Sequence, residues 1–525
     1  VEKLRQSATE VAAIIIEGGD MEKRKSEIQR IVREAEEELA LAYATVVTDL
    51  RHTLARKVPT PKSYKEALAG DFADAWNEAV LRELKNLQDH DVWEWCELPE
   101  GRNHTIDATW AWRVKPTSQG FVDKLKARLC ARGFREIYGM DYAETHAPVT
   151  TLTAWRACLA EAAKPPWKVH VWDVASAYLL SEIPEATPIY LRPFEGLEVP
   201  EIPHRRPLVL RLKRCLYGLK SSGRRWNQTI DLKLKDKGFR RSTNDPCLYI
   251  RETERGIIRL NLHVDDCCAT YNNEEMYMEF FNELKDDYKL SASADNNMFL
   301  GMLIDRTKDG GLQVHQKHFV DEILAKYNAE HFKPVINPAR KEIKLSKEQM
   351  PVTPEEKQDM ARVPYRQVVG SLMYLASGTR PDIAQALGDC ARYCSNPGRP
   401  HWNALKWILR YLVGTRDLCI RYGKKIPDMP FSPLHGNVDA SWGDSVDDRR
   451  STTGYNFISY GGPIVWRSQK QKSVSLSSCE SEYMAANEAG KEAVWLARLY
   501  KEDFGHEDLS VHTYGDLSEG EFRDD

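Results

Sequence analysis

Residues 260–270 read LNLHVDDCCAT, with Asp265 and Asp266 side by side in what otherwise alternates like a strand pair. Strands disfavour Asp and adjacent like charges repel, so the pair needs either open water or a cation. A solvated hairpin tip would meet the first condition and a metal site the second. In the alternation Asn261, His263 and Asp265 take one face, and Leu260, Leu262 and Val264 the other. Residues 168–180, KVHVWDVASAYLL, place Val169, Val171 and Asp173 on one parity, so an apolar face runs into an acid at the strand end. Two such strands bring Asp173 close to Asp265 and Asp266. Three carboxylates that near one another cannot all stay ionised without cations, and an oxygen-rich, His-poor set suits Mg²⁺ or Mn²⁺. Two ions about 3.5–4 Å apart would stabilise the entering and leaving oxygens of an in-line displacement at phosphorus.

The rest of the chain sets bounds on that chemistry. Its 525 residues exceed a usual domain several-fold, so three or four units are expected. No apolar run approaches the roughly 18 residues of a membrane span; VAAIII stops after six, at Glu17. The chain opens with Val1 and ends in EGEFRDD, which suggests a piece of a longer polyprotein or an incomplete gene model. Eleven scattered cysteines form neither a zinc repeat nor a disulfide framework, and Cys390 and Cys394, one helical turn apart, read as core. A reducing compartment follows. The formal charge of −4 argues against a nucleic-acid partner, yet Arg205 to Arg241 holds thirteen basic residues against Asp231 and Asp236. With Tyr217, Trp226 and Phe239 interleaved, that segment has the footprint of a phosphate-backbone groove, a solvated helix face being the alternative.

Along the chain, residues 1 to about 50 carry Ile28, Ile31, Val32, Ala35, Leu39 and Ala42 at helical spacing, an amphipathic helix without a catalytic group. KVPTPKSY marks a boundary, after which Ser63 or Lys62 starts a second helical stretch. Residues 91–150 read as strands, 169–304 as alternating strands and helices, and 362–422 as helices punctuated by Pro and Gly. From about 434 the pattern gives three strands, a long helix from near Ser478 and a last strand at LSVHTY. There Asp439 sits in the first strand and Glu482 in the first turns of the helix, with Tyr483, Ala486 and Ala493 available for its buried face. A strand Asp against a helix Glu is again a metal-site arrangement.

WDVASAYLL, LYGLKSSGRRWN, LHVDDCCAT and FLGMLI, in this order and at these separations, resemble the reverse transcriptase of copia-type long-terminal-repeat retrotransposons. KARLCARGFREIYGMDYAETHAPVT before them, and PYRQVVGSLMYLASGTRPDIAQAL and LRYLVGT after, are similar to the same family, so the resemblance covers roughly residues 60–516. It implies an α+β right-hand polymerase with fingers, palm and thumb. On that reading Asp173 and Asp265 bridge two Mg²⁺ or Mn²⁺ ions per active site and Asp266 supports them. Tyr178 falls at the family's aromatic steric gate, whose ring would collide with a ribose 2′-OH and favour dNTPs; a core tyrosine is the bland alternative. Gly218, Lys220 and Ser221 would line the nucleotide and template edge, and Lys126 and Arg128 are candidate cations for the triphosphate. The chain departs from the pattern at His263, where the family has tyrosine, and at Ser221, Gly223 and Asn227, where Gln, Pro and Tyr are common. The Asn-Gly expected in LLSEIPE is also missing. No departure removes an acid.

The last segment resembles the ribonuclease H domain of the same elements, with Asp439, Glu482 rather than Glu480, and Asp516 in place of its first three acids. The fourth would fall beyond Asp525, which makes the domain incomplete. The expected organisation is a helical linker (1–60), fingers and palm (61–305), a mainly helical thumb or connection (306–430) and an incomplete ribonuclease H-like α/β domain (431–525). The partners implied are an RNA template, a DNA primer, RNA–DNA hybrid and dNTPs, with no membrane and with integrase and capsid as sister products. The implied location is intracellular, in a cytoplasmic virus-like particle or the nucleus. Two alternatives stay open: a decayed or domesticated nucleic-acid-binding descendant, and a polymerase that copies DNA.

Overall fold

A computed structural model describes residues 52–522 apart from 118–120, 202, 293–296, 341, 424–432 and 516–519. The N-terminal amphipathic helix and Asp516 lie outside the described residues. The chain forms two compact units, Val1–Ala147 with Tyr178–Trp226, and Pro148–Ala177 with Asn227–Asp525. The segment expected as one fingers-and-palm block is thus divided between them.

In the first unit the helix Ala73–Asp89 buries Trp76, Val80, Glu83 and Leu87. The antiparallel hairpin Ala108–Pro116 and Val122–Ala131 shares that core. Leu125, Ala127, Leu129 and Ala131 point inward, which puts Lys126 and Arg128 on the opposite face. Glu83 is held in the core by the Leu129 amide, which donates to its Oε1 at 3.3 Å. Three further strands, Trp93–Glu97, Leu208–Leu212 and Tyr190–Leu191, form a small sheet in that order.

The second unit is built on a six-stranded antiparallel sheet, in the order Leu290–Ala292, Lys168–Val174, Asp266–Tyr271, Gly256–His263, Leu248–Thr253 and Arg240–Arg241. Val171 and Cys268 on one face share a core with Trp155 and Cys158 of the helix Leu152–Glu161. His170 and Trp172 on the other meet Tyr277 and Phe281 of the helix Glu274–Asp287. Burial on both faces accounts for apolar residues on both parities of the central strands, as at Val171 and Trp172 and at Cys267 and Cys268. The helices Lys317–Lys326, Tyr365–Gly378, Ala384–Ala391 and Arg399–Gly414 pack around Val368, Leu372, Leu375, Leu405 and Leu409, with Cys390 in the same core. Burial pushes the Cys390 thiol up to about 12.

The C-terminal segment forms a five-stranded sheet ordered Gly462–Lys470, Thr452–Ser459, His435–Ser441, Val511–Tyr514 and Gly520–Phe522, with the third and fourth strands parallel. The helix Ser478–Arg498 buries Ser481, Ala485, Ala489 and Ala493. Tyr483, expected on the buried face, is instead 65% exposed. The buried row advances by fours from Ser481, and its small side chains leave no room between helix and sheet for a phenol ring.

One apolar cluster runs from Trp155 and Val171 through Phe299 and Tyr422 to Phe457, Ile464, Ala489 and Tyr500, so the six-stranded and C-terminal sheets share a core. Arg156 is set into it, 3% exposed. Its guanidinium donates to the carbonyls of Ile464 (3.2 Å), Gly378 (2.5 Å) and Ser377, and lies 4.1 Å from the Trp466 ring. Ser377 and Gly378 end a helix, where unsatisfied carbonyls and the dipole favour a cation. Burial lowers the guanidinium pKa to about 10. Asp503 reinforces the same junction, accepting from Arg240 at 2.8 Å, Ser242 at 2.6 Å and Asn244 at 3.0 Å.

Candidate active site

The six-stranded sheet brings the first three acids to one corner. Asp266 is the ladder partner of Asp173 on one side and of His263 on the other. Directly opposed residues in an antiparallel pair have Cα atoms about 4.5–5.5 Å apart. Asp265 occupies the two-residue turn between His263 and Asp266, and its carbonyl accepts from the Val174 amide at 2.9 Å. This corrects the alternation read from sequence, which carried the strand through Asp265. The chain reverses at Val264, whose φ of +60° lies in the left-handed region. That conformation is costly for a β-branched residue, on the order of 1–3 kcal/mol, and persists because the two strands over-determine it.

Neighbouring groups hold the corner. Ser291 is the other ladder partner of Asp173, and its hydroxyl donates to Asp173 Oδ2 at 3.4 Å. Asp245, fully buried, accepts from the Thr151 amide (2.8 Å) and hydroxyl (2.9 Å) and fixes the start of the helix Leu152–Glu161. The Thr150 hydroxyl donates to Asn261 Oδ1 at 3.1 Å. Burial drives the Cys267 thiol far above its ordinary range, and the charges of Asp266, Asp173 and Asp265 add to the shift. Asp173, Asp265 and Asp266 offer hard carboxylate oxygens, a donor set that would fit Mg²⁺ or Mn²⁺. Among the described residues no three His, Cys, Asp or Glu side chains are placed so that together they could hold a metal ion; it is the backbone that brings Asp173, Asp265 and Asp266 to one corner.

In the first unit the expected substrate residues join through Tyr217, which the sequence marked only as an aromatic of the basic segment. Arg128 lies 4.6 Å from the ring of Tyr217, whose centroid is 5.7 Å from that of Tyr178. Lys126 shares the face of Arg128; burial, then the charges of Arg128, Lys115 and Lys124, lowers its pKa to about 8. Gly218 has φ +88°, and a Cβ there would meet the Ala131 carbonyl at 2.2 Å. The Ala131 amide donates to the Tyr217 carbonyl at 2.7 Å, so glycine lets this loop lie against the hairpin. Lys220 is spent on structure, its Nζ donating to the Glu136 carbonyl (3.1 Å) and the Tyr142 hydroxyl (3.3 Å). Ser221, expected at an edge, is buried with its hydroxyl unpartnered.

The second pair forms in the C-terminal sheet. The amide of Ala440, next to Asp439, donates to Glu482 Oε1 at 3.1 Å. Glu480 does different work. Its carboxylate accepts from the Leu476 amide at 2.6 Å while its own amide donates to Ser477 Oγ at 3.1 Å, which caps the helix. Among the described residues no helix is long and apolar enough to cross a membrane.

Residues 90–341 match the family model described as reverse transcriptase (RNA-dependent DNA polymerase). The chain is 36% identical over 444 residues to the retrovirus-related Pol polyprotein from transposon TNT 1-94 of Nicotiana tabacum, covering 84% of this chain and 33% of that one. It is 30% identical over 320 residues to a putative transposon Ty5-1 protein of Saccharomyces cerevisiae, covering 60% of this chain and 98% of that one. A solved foamy viral protease–reverse transcriptase in complex with double-stranded DNA aligns with a TM-score of 0.46 at 14% identity, over 84% of this chain and 62% of that one. The chain belongs to the reverse-transcriptase region of copia-type retrotransposon Pol polyproteins. It spans about a third of the length of the plant Pol polyproteins it matches.

Proposed function

We propose that the chain is an RNA-directed DNA polymerase that extends a DNA primer along an RNA template from dNTPs, with fingers, palm and thumb. The observation that carries this reading is the ladder pairing of Asp173 with Asp266 beside the Asp265 turn. Asp173 and Asp265 would hold two Mg²⁺ or Mn²⁺ ions, with Asp266 in support. Bound there, such ions would neutralise charge on the entering and leaving oxygens of phosphoryl transfer. The ladder and the turn bring the backbones of all three acids together, and their side chains would converge on the ions as these bind. Tyr178, braced by Tyr217, is the proposed gate against a ribose 2′-OH, and Lys126 and Arg128 the proposed triphosphate cations. In the C-terminal sheet Asp439 and Glu482, with Asp516, would cut RNA in the hybrid. The working place is intracellular, in a virus-like particle or the nucleus, alongside integrase and capsid products.

Primer extension on poly-rA/oligo-dT tests the reading. Wild type extends, Asp265→Asn does not, and Glu480→Gln does. Extension that survives Asp265→Asn refutes the acid assignment.

A further inference from the structure

We propose that Glu136 is a positioning residue for sugar selection: its side chain holds the loop that carries Tyr217, and through Tyr217 the proposed gate Tyr178, against the hairpin that carries Arg128. The reaction it serves rests on the polymerase reading above; the contacts do not.

The strand Val122–Ala131 runs into the short turn Gly133–Arg135, and Glu136 follows it, 5% exposed. Its Oε2 accepts from the Lys220 amide at 2.6 Å, and its carbonyl accepts from Lys220 Nζ at 3.1 Å. Residues 136 and 220 thus clasp each other in both directions. A Cβ on Gly133 would meet the Gly218 carbonyl at 2.1 Å and Glu136 Oε2 at 2.8 Å, so turn and loop touch through their backbones with the carboxyl group beside them. The anchor itself is fixed. Buried Asp141 accepts from the Ile137 amide at 2.9 Å and from Arg102 at 2.7 Å, which holds the residue after Glu136 in place. On the other side of Gly218 the loop is tied again, by the Ala131 amide to the Tyr217 carbonyl at 2.7 Å. Gly218, with φ +88°, gives the segment a freedom that the two ties take up, and without the tie at Lys220 this backbone is held on one side only. Tyr217 lies 4.6 Å from Arg128 and 5.7 Å from Tyr178, so a shift of its ring disturbs both. A misplacement of about 1 Å in a positioning group can cost on the order of 10²-fold in rate, and a steric test of the sugar is sensitive to the same displacement. Burial raises the carboxyl pKa of Glu136, with the Lys220 amide and charge opposing, and its Oε1 has no hydrogen-bond partner among the described residues. The side chain therefore serves as an acceptor for one amide, a task that Gln can perform.

The test measures incorporation of a single dATP or ATP opposite a template U by the full chain, as the ratio of the two kcat/KM values, with thermal melts to check folding. Glu136→Met fills the space without an acceptor and lowers the preference for dATP on the order of tenfold. Glu136→Ala, which vacates the space instead, moves the ratio in the same direction, so either folded variant gives the reading. Glu136→Gln keeps the acceptor and holds the ratio within about twofold of wild type. Glu136→Met/Tyr217→Ala discriminates no worse than Tyr217→Ala, because Glu136 acts through that ring. A merely structural role slows both nucleotides alike and leaves the ratio unchanged. An unchanged ratio in folded Glu136→Met, a Gln variant as impaired as Met, or losses that add in the double variant overturn the assignment. Amide exchange on the same proteins needs no activity: the Lys220 amide loses protection in Glu136→Met and keeps it in Glu136→Gln. Wild type that incorporates neither nucleotide rejects the polymerase reading, and exchange then upholds the clasp or, with Lys220 unaffected, overturns it. Wild type that incorporates dATP, with the ratio unmoved in Glu136→Met, keeps the polymerase and rejects the positioning role.

Discussion

The two acid sites are assembled by different physics. At the six-stranded sheet, hydrogen-bond register sets Asp266 opposite Asp173, and the tight turn after His263 puts Asp265 beside them. At the C-terminal sheet a helix carboxylate must reach across to a strand, and the link is one hydrogen bond from the Ala440 amide to Glu482. A ladder fixes positions through many cooperative bonds, so the backbone of the first site is the more pre-organised.

The largest effect tests that claim directly. Asp266→Asn keeps size and ladder but removes a charge that neither Asp173 nor Asp265 can replace. We expect primer extension to fall on the order of 10³-fold or more, since several kcal/mol of charge stabilisation is lost at about 1.36 kcal/mol per decade. A single-turnover rate within tenfold of wild type would break the comparison.

Next in size is Arg156, which belongs to neither site but joins the sheets that carry them. Arg156→Leu leaves three carbonyls unsatisfied in the core, each worth on the order of 1–3 kcal/mol. Relief of the buried charge offsets part of this, so destabilisation of about 3–5 kcal/mol is expected. Amide exchange should show Asp266–Tyr271 and His435–Ser441 losing protection together. Opening of the C-terminal sheet alone would mean that the shared core does not couple them.

A third test asks whether the polymerase reaction draws on charge as well as register. Lys126 carries a pKa lowered to about 8, mainly by burial. Below that pH it is a cation and above it is neutral, so the KM for dNTP should rise several-fold between pH 7 and 9. Lys126→Arg, protonated throughout, should flatten the profile. A wild-type KM that is level across this range would remove Lys126 from the triphosphate site.

The same contrast explains what the sequence disclosed. Acids are costly in strands, so Asp173, Asp265, Asp266 and Asp439 stand out from their apolar neighbours, and the strands and long helix of the C-terminal segment follow from period alone. A hairpin tip was one of the two readings of this pair, but its position at Val264 was hidden because HVDD contains neither the Gly nor the Asn that favours a positive φ. Tyr483 misled because an aromatic weighs toward burial while a row of alanines and a serine sets the true face. Arg156 had no local signature at all, since its partners lie more than 200 residues away, and Tyr217, visible only as an aromatic in a basic segment, gave no sign that it sits between Arg128 and Tyr178.

The smallest expected effect separates two glutamates on one helix. Glu480 caps, and Gln at that position still accepts from the Leu476 amide, so Glu480→Gln should cost only a few tenths of a kcal/mol and leave both primer extension and any hybrid cutting intact. Glu482→Gln keeps an acceptor for the Ala440 amide but removes the charge beside Asp439, so stability should hold while metal-dependent cutting of RNA in the hybrid disappears. The pair of variants, run side by side in a thermal melt and a hybrid-cleavage assay, isolates charge from hydrogen bonding at the less rigid site. If Glu480→Gln abolished cutting and Glu482→Gln spared it, the helix acid would be the capping residue, and the single hydrogen bond that distinguishes this site from the ladder-built one would be structural only.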